Sequence, residues 1–426
     1  MLQHSGRIVA CMLAVLLVIP SLVLAQTAAD RQAIIIDQLE ALRVSSAKIQ
    51  GKTHLDRQAE LAVLEAKAGR MDRAQQIAQT LSLIVNSTPN AEDDTAILAL
   101  ARAQAALGQW DAATATLSKA KQAYRLEPAH HQLLTAMVEA GQFKAARDKA
   151  RVLIPSTMNR AKAYQLMLIS HAQRGHFDEV MTFLDSTFDL TSAFSKQHGY
   201  VALAQVFVEQ NQLAKARQLM QDIYTQSRGE SVATTRISLA GDLIEGFAVV
   251  NDLQTARVML QQAEQDLAGL TDARDSFSYN RCLAALVIGW ARLGDLDKAM
   301  SFYNQMNKPS EQNNANVAIV KAMFRAGRME QAQQFGKEDN RVRDNELLIQ
   351  EIAVRLEKRD FTGAIMRARQ MNQYDFSRSS VLRSVASSLA QAGQIQTLED
   401  LIANMRSDDA VDSVRLGLIE GLLMNR

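Results

Sequence analysis

The chain has 426 residues, with 47 basic against 46 acidic side chains, 47% hydrophobic residues and only 5% aromatic ones. A near-neutral balance leaves no cation excess to neutralise a phosphate backbone, and so few aromatics argue against an all-β core. The two cysteines, Cys11 and Cys282, exclude a disulfide scaffold.

The first element is an apolar run, Ile8 to Ala25, behind the single basic residue Arg7. Val23 and Ala25 meet the small-residue rule at minus three and minus one, so residues 1–25 read as a secretory signal cleaved after Ala25. The alternative, an uncleaved anchor, is opposed by Pro20 within the run and by the lack of a following basic cluster. Cleavage removes Arg7 and Cys11, which makes acidic and basic residues equal and leaves Cys282 without a partner. The expected location is the periplasm or the exterior, with no stable membrane insertion after cleavage. A core, not a disulfide, has to hold such a protein together.

Residues 26–52 then carry "DRQAIIIDQLEALRVSSAKIQ", an amphipathic helix expected to cap the first hairpin. From 53 to 405 one pattern recurs ten times. Its turn residues are Gly69, Gly108, Gly141, Gly175, Asn211, Asn251, Gly294, Gly327, Arg359 and Gly393, a mean period of 36 residues, which indicates stacked supersecondary units. Two residues after each turn stands an apolar residue, from Met71 and Trp110 to Leu296 and Ile395. Five after it stands alanine in eight copies, with Val180 and Leu398 in the others. Eight before it stands an aliphatic residue everywhere except Glu351, where the neighbouring Ile352 suggests a one-residue slip.

Each column has a physical reason. A chain doubling back from one helix to the next needs a residue at positive φ, which glycine supplies without steric cost and asparagine next best. Arg359 is the exception. The alanine lets the second helix, B, approach the first, A, while the residue two after the turn fills the corner between them. In the Gly294 copy this places helix A over Tyr279 to Leu293 and helix B over Leu296 to Met306, with Ala299 packed inward and Lys298 exposed. The chain ends with residues 406–426, a capping helix whose start is signalled by Ser407 and Asp408 and which offers Val411, Val414, Leu418 and Leu422 to the last hairpin.

These columns resemble the tetratricopeptide repeat. The Gly108 copy, "TAILALARAQAALGQWDAATATLSKAKQAYRLEP", carries the resemblance best, with Leu100, Ala101, Gly108, Trp110, Ala113 and a closing Pro128. Most copies lack that proline, and steps reach 43 residues between Asn251 and Gly294, where "AEQDLAGLTDARDSFS" reads as a longer helix B and a loop. The resemblance implies an all-α solenoid of about ten stacked hairpins. It also implies a concave face of helices A that holds peptide segments, and its offsets put Arg102, His131, Gln165, Gln205, Glu245, Lys321 and Arg383 on that face.

No motif announces chemistry, so no catalytic residue, cofactor or metal is assigned. A phosphate loop, a paired-cysteine site, His-Glu-x-x-His and Gly-x-Ser-x-Gly are all missing from the sequence. His130 and His131 point about a third of a turn apart. His171 and His176 straddle a turn and have no cysteine or carboxylate cluster near them in the pattern. Glu92 to Asp94 read as helix N-terminal charge, Trp110 and Trp290 as core, and Cys282 as a quiet buried thiol rather than an activated one. The favoured function is an exported scaffold or adaptor that binds protein or peptide and is not an enzyme. The alternatives are an all-α cell-wall or polysaccharide-acting enzyme or its accessory subunit, and an RNA-binding helical-repeat protein.

Overall fold

In the computed structural model the described residues are 28–87, 94–186, 193–270, 276–338, 341–372, 376–405 and 407–424. Three features named from the sequence therefore lie wholly or partly outside them: the signal segment with Ala25, the acidic pair Glu92 and Asp93, and residues 271–275 of the long step. Twenty-two helices and no strand occur among the described residues. The first, α1, covers 28–46. The ten hairpins follow as helix pairs from α2 (Gly51–Lys67) and α3 (Met71–Ser87) to α20 (Phe376–Gln391) and α21 (Ile395–Ala403). The last helix, α22, covers Asp408–Met424.

All ten turn residues adopt positive φ, from 55° at Asn251 to 86° at Gly175, and Arg359 does so at 57°. The turns share one set of hydrogen bonds. In the Gly294 copy the Gly294 N–H donates to the Ala291 carbonyl at 3.1 Å and the Asp295 N–H to the Trp290 carbonyl at 3.0 Å. The same pair recurs in the other nine, which is the Schellman closure of a helix end. Every helix B then begins at the apolar residue two after the turn. Aspartates at the position between cap three of these helices: Asp252, Asp295 and Asp360 accept the N–H groups of Thr255, Lys298 and Gly363 at 3.0–3.1 Å.

The alanine column is the tightest contact of the hairpin. All ten residues in it, Val180 and Leu398 included, have no exposed surface. The column eight before the turn is also buried throughout. Glu351 is buried in register and does not slip. Arg359 keeps the turn in place, and the Glu351 carboxylate accepts from Arg355 at 2.7 Å and from Arg367 at 2.8 Å. The corner column is looser than expected: Leu296 is buried, but Met71, Leu213 and Leu253 are each more than a third exposed. Two further expectations are corrected. Pro128 does not close a hairpin but lies inside α6 (Ala123–Glu139), beyond the first turn, where it removes one backbone hydrogen bond of the helix. Lys298 is not a free surface residue, for its ammonium lies 3.9 Å from the Trp290 ring centroid and donates to Glu264 at 3.0 Å.

Contacts divide the chain into two compact units. Unit 1 comprises residues up to Ala112 and from Phe376 onward, so it is built from both ends of the chain. Within it α22 packs on α20 and also on α2. Gly417 and Gly421 permit the first contact, because a Cβ at either would collide with the α20 backbone at Arg383 or Ser387. Ser45 donates to the buried Asp412 carboxylate at 2.8 Å, and Arg383 pairs with Glu60 at 2.6 Å. Val414, Leu418 and Leu422 are buried as the pattern requires, and Val411 is half-buried. Unit 2, Ala113–Asp375, stacks its helices A in one continuous row. The row runs α6, α8 (Thr157–Gln173), α10 (Ala193–Glu209), α12 (Ala233–Val249), α14 (Phe277–Arg292), α16 (Pro309–Arg325) and α18 (Asp344–Glu357), each packed on the next. The chain is an all-α protein of divergent helical repeats.

Candidate functional site

In unit 2 the row of helices A presents polar side chains along one face, and α12, α14 and α16 enclose a groove there. Gly241, Asp242, Glu245, Ile288, Arg292, Ala318, Lys321 and Arg325 line a cavity of about 200 Å³. Ile288 and Ala318 give it an apolar floor and Gly241 lets the backbones close in, while the five charged residues stand around it. Charges pair across hairpins rather than along one helix. Arg292 on α14 makes a two-pronged contact with Glu245 on α12, one prong at 3.1 Å. Arg325 on α16 makes another with Glu357 on α18, both prongs at 2.8 Å. Lys321 adds a third contact to Glu357 at 3.3 Å.

These partners govern the ionisation of the site. Burial works against the charge on Glu357, but the hydrogen bonds and charge of Arg325, with Lys321, outweigh it and hold the carboxyl at about 2. Burial also works against Arg325, whose pKa is nonetheless raised by Glu357 and, more distantly, by Glu245. The groove is thus a fixed alternation of paired opposite charges around a small apolar floor, suited to a segment that offers both carboxylate or carbonyl acceptors and N–H or cationic donors.

The seven residues proposed from the offsets fall in different settings. Glu245 and Lys321 meet at this groove. Gln205 stands exposed on α10 and donates to Glu209 at 2.9 Å. Gln165, on α8, is half-buried and packs where a side chain at Gly199 of α10 would sit. His131 is not an open-face residue: it is buried, its Nε2 has no hydrogen-bond partner, and burial lowers its pKa. Arg102 and Arg383 belong to unit 1. Arg102 is half-buried there, and Arg383 is committed to Glu60 and Glu420.

Sequence reading missed Arg292, Arg325 and Glu357. Each lies two residues before a turn, one helical turn beyond the positions six and ten before it from which the seven were drawn. Extending the same stripe by four residues would have found them. Cys282, in α14, is buried and free, and burial pushes its thiol up to about 11, which agrees with a quiet thiol.

A family model, PPR repeat, matches residues 284–308, which cover the turn of the Gly294 hairpin, the second half of α14 with Arg292 and the following helix Leu296–Tyr303. None of the curated proteins matches the chain. Among solved structures, Ton1535 from Thermococcus onnurineus NA1 is similar at 14% identity over 76% of this chain and 98% of that one, with a TM-score of 0.24. The pentatricopeptide repeat protein PPR10 from maize is similar at 15% identity over 85% of this chain and 61% of its own, at 0.22. The APC/C hetero-tetramer Cut9-Hcn1 is similar at 11% identity over 91% and 94%, at 0.25. TM-scores this low bear on neither the fold nor the function of the chain.

Proposed function

We propose that this chain is an exported scaffold or adaptor that holds a polypeptide segment against the helix-A face of unit 2, without catalysis of its own. The observation that carries the reading is the groove between α12, α14 and α16. Its cations are already paired with carboxylates, Arg292 with Glu245 and Arg325 and Lys321 with Glu357. A polyanion would have to displace those carboxylates, whereas a peptide can answer both signs. Export rests on the N-terminal apolar run and the small residues at Val23 and Ala25. No described helix is long and apolar enough to cross a membrane.

RNA binding is the second reading, because PPR modules read single-stranded RNA repeat by repeat and a PPR model matches the Gly294 hairpin. One experiment separates the two. A photocrosslinking residue is placed at Ile288 in the groove and, as control, at Val258 on the exposed surface of α13 (Leu253–Ala268). A polypeptide captured at Ile288 and not at Val258 is the expected result, and a titration of that partner should weaken less than tenfold between about 50 and 200 mM salt. A partner tracking six to ten phosphates would lose about 10³–10⁵ over that range. Capture of RNA, or of protein only at Val258, would refute the proposal.

A further inference from the structure

The hairpin turn at Gly175 brings together three side chains that the groove does not use. His171 lies in the last turn of α8, His176 precedes helix α9 (Phe177–Ser186), and Glu179 lies in the first turn of α9. With φ of 86°, Gly175 folds the second helix back so that residues five and eight positions beyond His171 return to it. Glu179 spans the two imidazoles. One carboxylate oxygen lies 3.1 Å from His171 Nε2 and the other 3.4 Å from His176 Nδ1. All three donor atoms fall within 4.8 Å of one another. The sequence pattern gives no hint of this, because Glu179 looks like an ordinary acid at a helix start.

From these contacts we infer that His171, His176 and Glu179 form a binding site for a divalent transition-metal ion of the zinc class. Two imidazole nitrogens and one carboxylate oxygen are a donor set for zinc and its borderline neighbours, not for calcium or magnesium, which take oxygen ligands. The spacing also fits. Donors about 2.0–2.1 Å from a tetrahedral ion stand about 3.3 Å apart, and the two nitrogen–oxygen separations lie on either side of that value. The anchor is rigid. His171 is 3% exposed, stacked on Phe143 with ring centroids 4.3 Å apart and planes 5° from parallel, while its other face stacks on His176 at 4.3 Å. The remaining two ligands can adjust, since the side chains of His176 and Glu179 are 42% and 63% exposed. Because the two imidazoles stack within 10° of parallel and each donates in its own plane, His176 has to swing out of that stack to complete the site, and its 42% exposure leaves it room to do so. Such an ion would tie the end of α8 to the start of α9 and leave its fourth position to water.

The test is a titration of the full mature chain with Co²⁺, read by ligand-field absorption in the visible, followed by displacement with Zn²⁺. One equivalent should bind with the intensity of a four- or five-coordinate ion and be displaced stoichiometrically by Zn²⁺. His176→Ala and Glu179→Gln change exposed side chains, and circular dichroism should confirm that both stay folded. Each should lower the affinity by about tenfold or more, as loss of a metal-site partner does, and Zn²⁺ should raise the melting midpoint of the wild type but not of either variant. Absence of stoichiometric uptake by the wild type would overturn the inference. So would uptake unchanged in both variants, which would place the ion at other histidines.

Discussion

The turn at Gly294 offers the sharpest test of why this chain repeats. At φ of 81° an ideal Cβ on Gly294 meets no atom within 4 Å, so a Cβ is admitted without a clash and its penalty falls on the backbone. An L-residue in the left-handed region costs about 1–2 kcal/mol. Losing glycine's extra freedom in the unfolded chain returns about 0.4–1 kcal/mol, so Gly294→Ala should cost about 1 kcal/mol net. Gly294→Val, β-branched, should cost about 1–3 kcal/mol, and Gly294→Asn well under 1 kcal/mol, as Asn211 and Asn251 at φ of 58° and 55° illustrate. The reverse change, Arg359→Gly at φ of 57°, removes the same strain and should raise stability by up to about 1 kcal/mol. The assay is urea unfolding followed by tryptophan fluorescence in a Trp110→Phe background. That leaves Trp290, buried in the Gly294 hairpin under the Lys298 ammonium, as the local reporter. A local reporter matters because repeat arrays can unfold in segments. Equal losses for Val and Asn, or a loss for Arg359→Gly read from a tryptophan placed at Phe361 in its own hairpin, would refute the backbone explanation.

Three other outcomes are expected from the packing and the charges. Ala299 has no exposed surface, so Ala299→Leu should overpack the hairpin and cost about 1–3 kcal/mol in the same melts, whereas Asp297→Leu, one face away and exposed, should change little. Cys282 is buried with its thiol raised to about 11, so a thiol reagent should leave the native chain unlabelled at neutral pH and react only as urea opens α14, which a mass shift reports. Glu357 is held at about 2 against an ordinary 4.5, so its contribution is complete above about pH 4.5 and is lost as the pH falls through about 2. Because the unfolded chain binds the extra proton in that window, Glu357→Gln should flatten the stability profile between those values, and a profile as steep as the wild type's would count against the Arg325–Glu357 pair.

The architecture was legible because its columns answer to constraints that act within one hairpin. Positive φ at the turn, a small residue where two helices touch, and an aliphatic residue on the inward face are each decided by the turn and the two helices it joins. The sequence therefore displays them ten times over. The groove was half legible for the opposite reason. Offsets give the azimuth of a side chain on its own helix, and Glu245 and Lys321 both lie beside the cavity. Offsets say nothing about what the next helix lays over a position, which is why His131 is buried. Nor do they pair charges 47 and 32 residues apart, as Glu245 with Arg292 and Arg325 with Glu357 are.

The Arg359 hairpin shows how far such a column can be broken before the fold gives way. It carries both departures from the pattern, a cation in place of the turn glycine and a carboxylate in place of the inward aliphatic residue. The turn keeps its hydrogen bonds, with the Arg359 N–H donating to the Leu356 carbonyl at 3.0 Å and the Asp360 N–H to the Arg355 carbonyl at 2.8 Å. The buried Glu351 carboxylate is held by Arg355 and Arg367, and Arg355 reaches on to Asp360, the cap of the following helix. A buried carboxylate with two guanidinium partners is tolerated where a lone one would not be. Each rule-breaking residue here thus has its compensation within the same hairpin, in arginines that no apolar column would reveal. Polar positions are free to drift in this way as long as a partner drifts with them, and that freedom is what lets one backbone repeat carry a groove at α12–α16 and a histidine–carboxylate cluster at Gly175 without disturbing the stack.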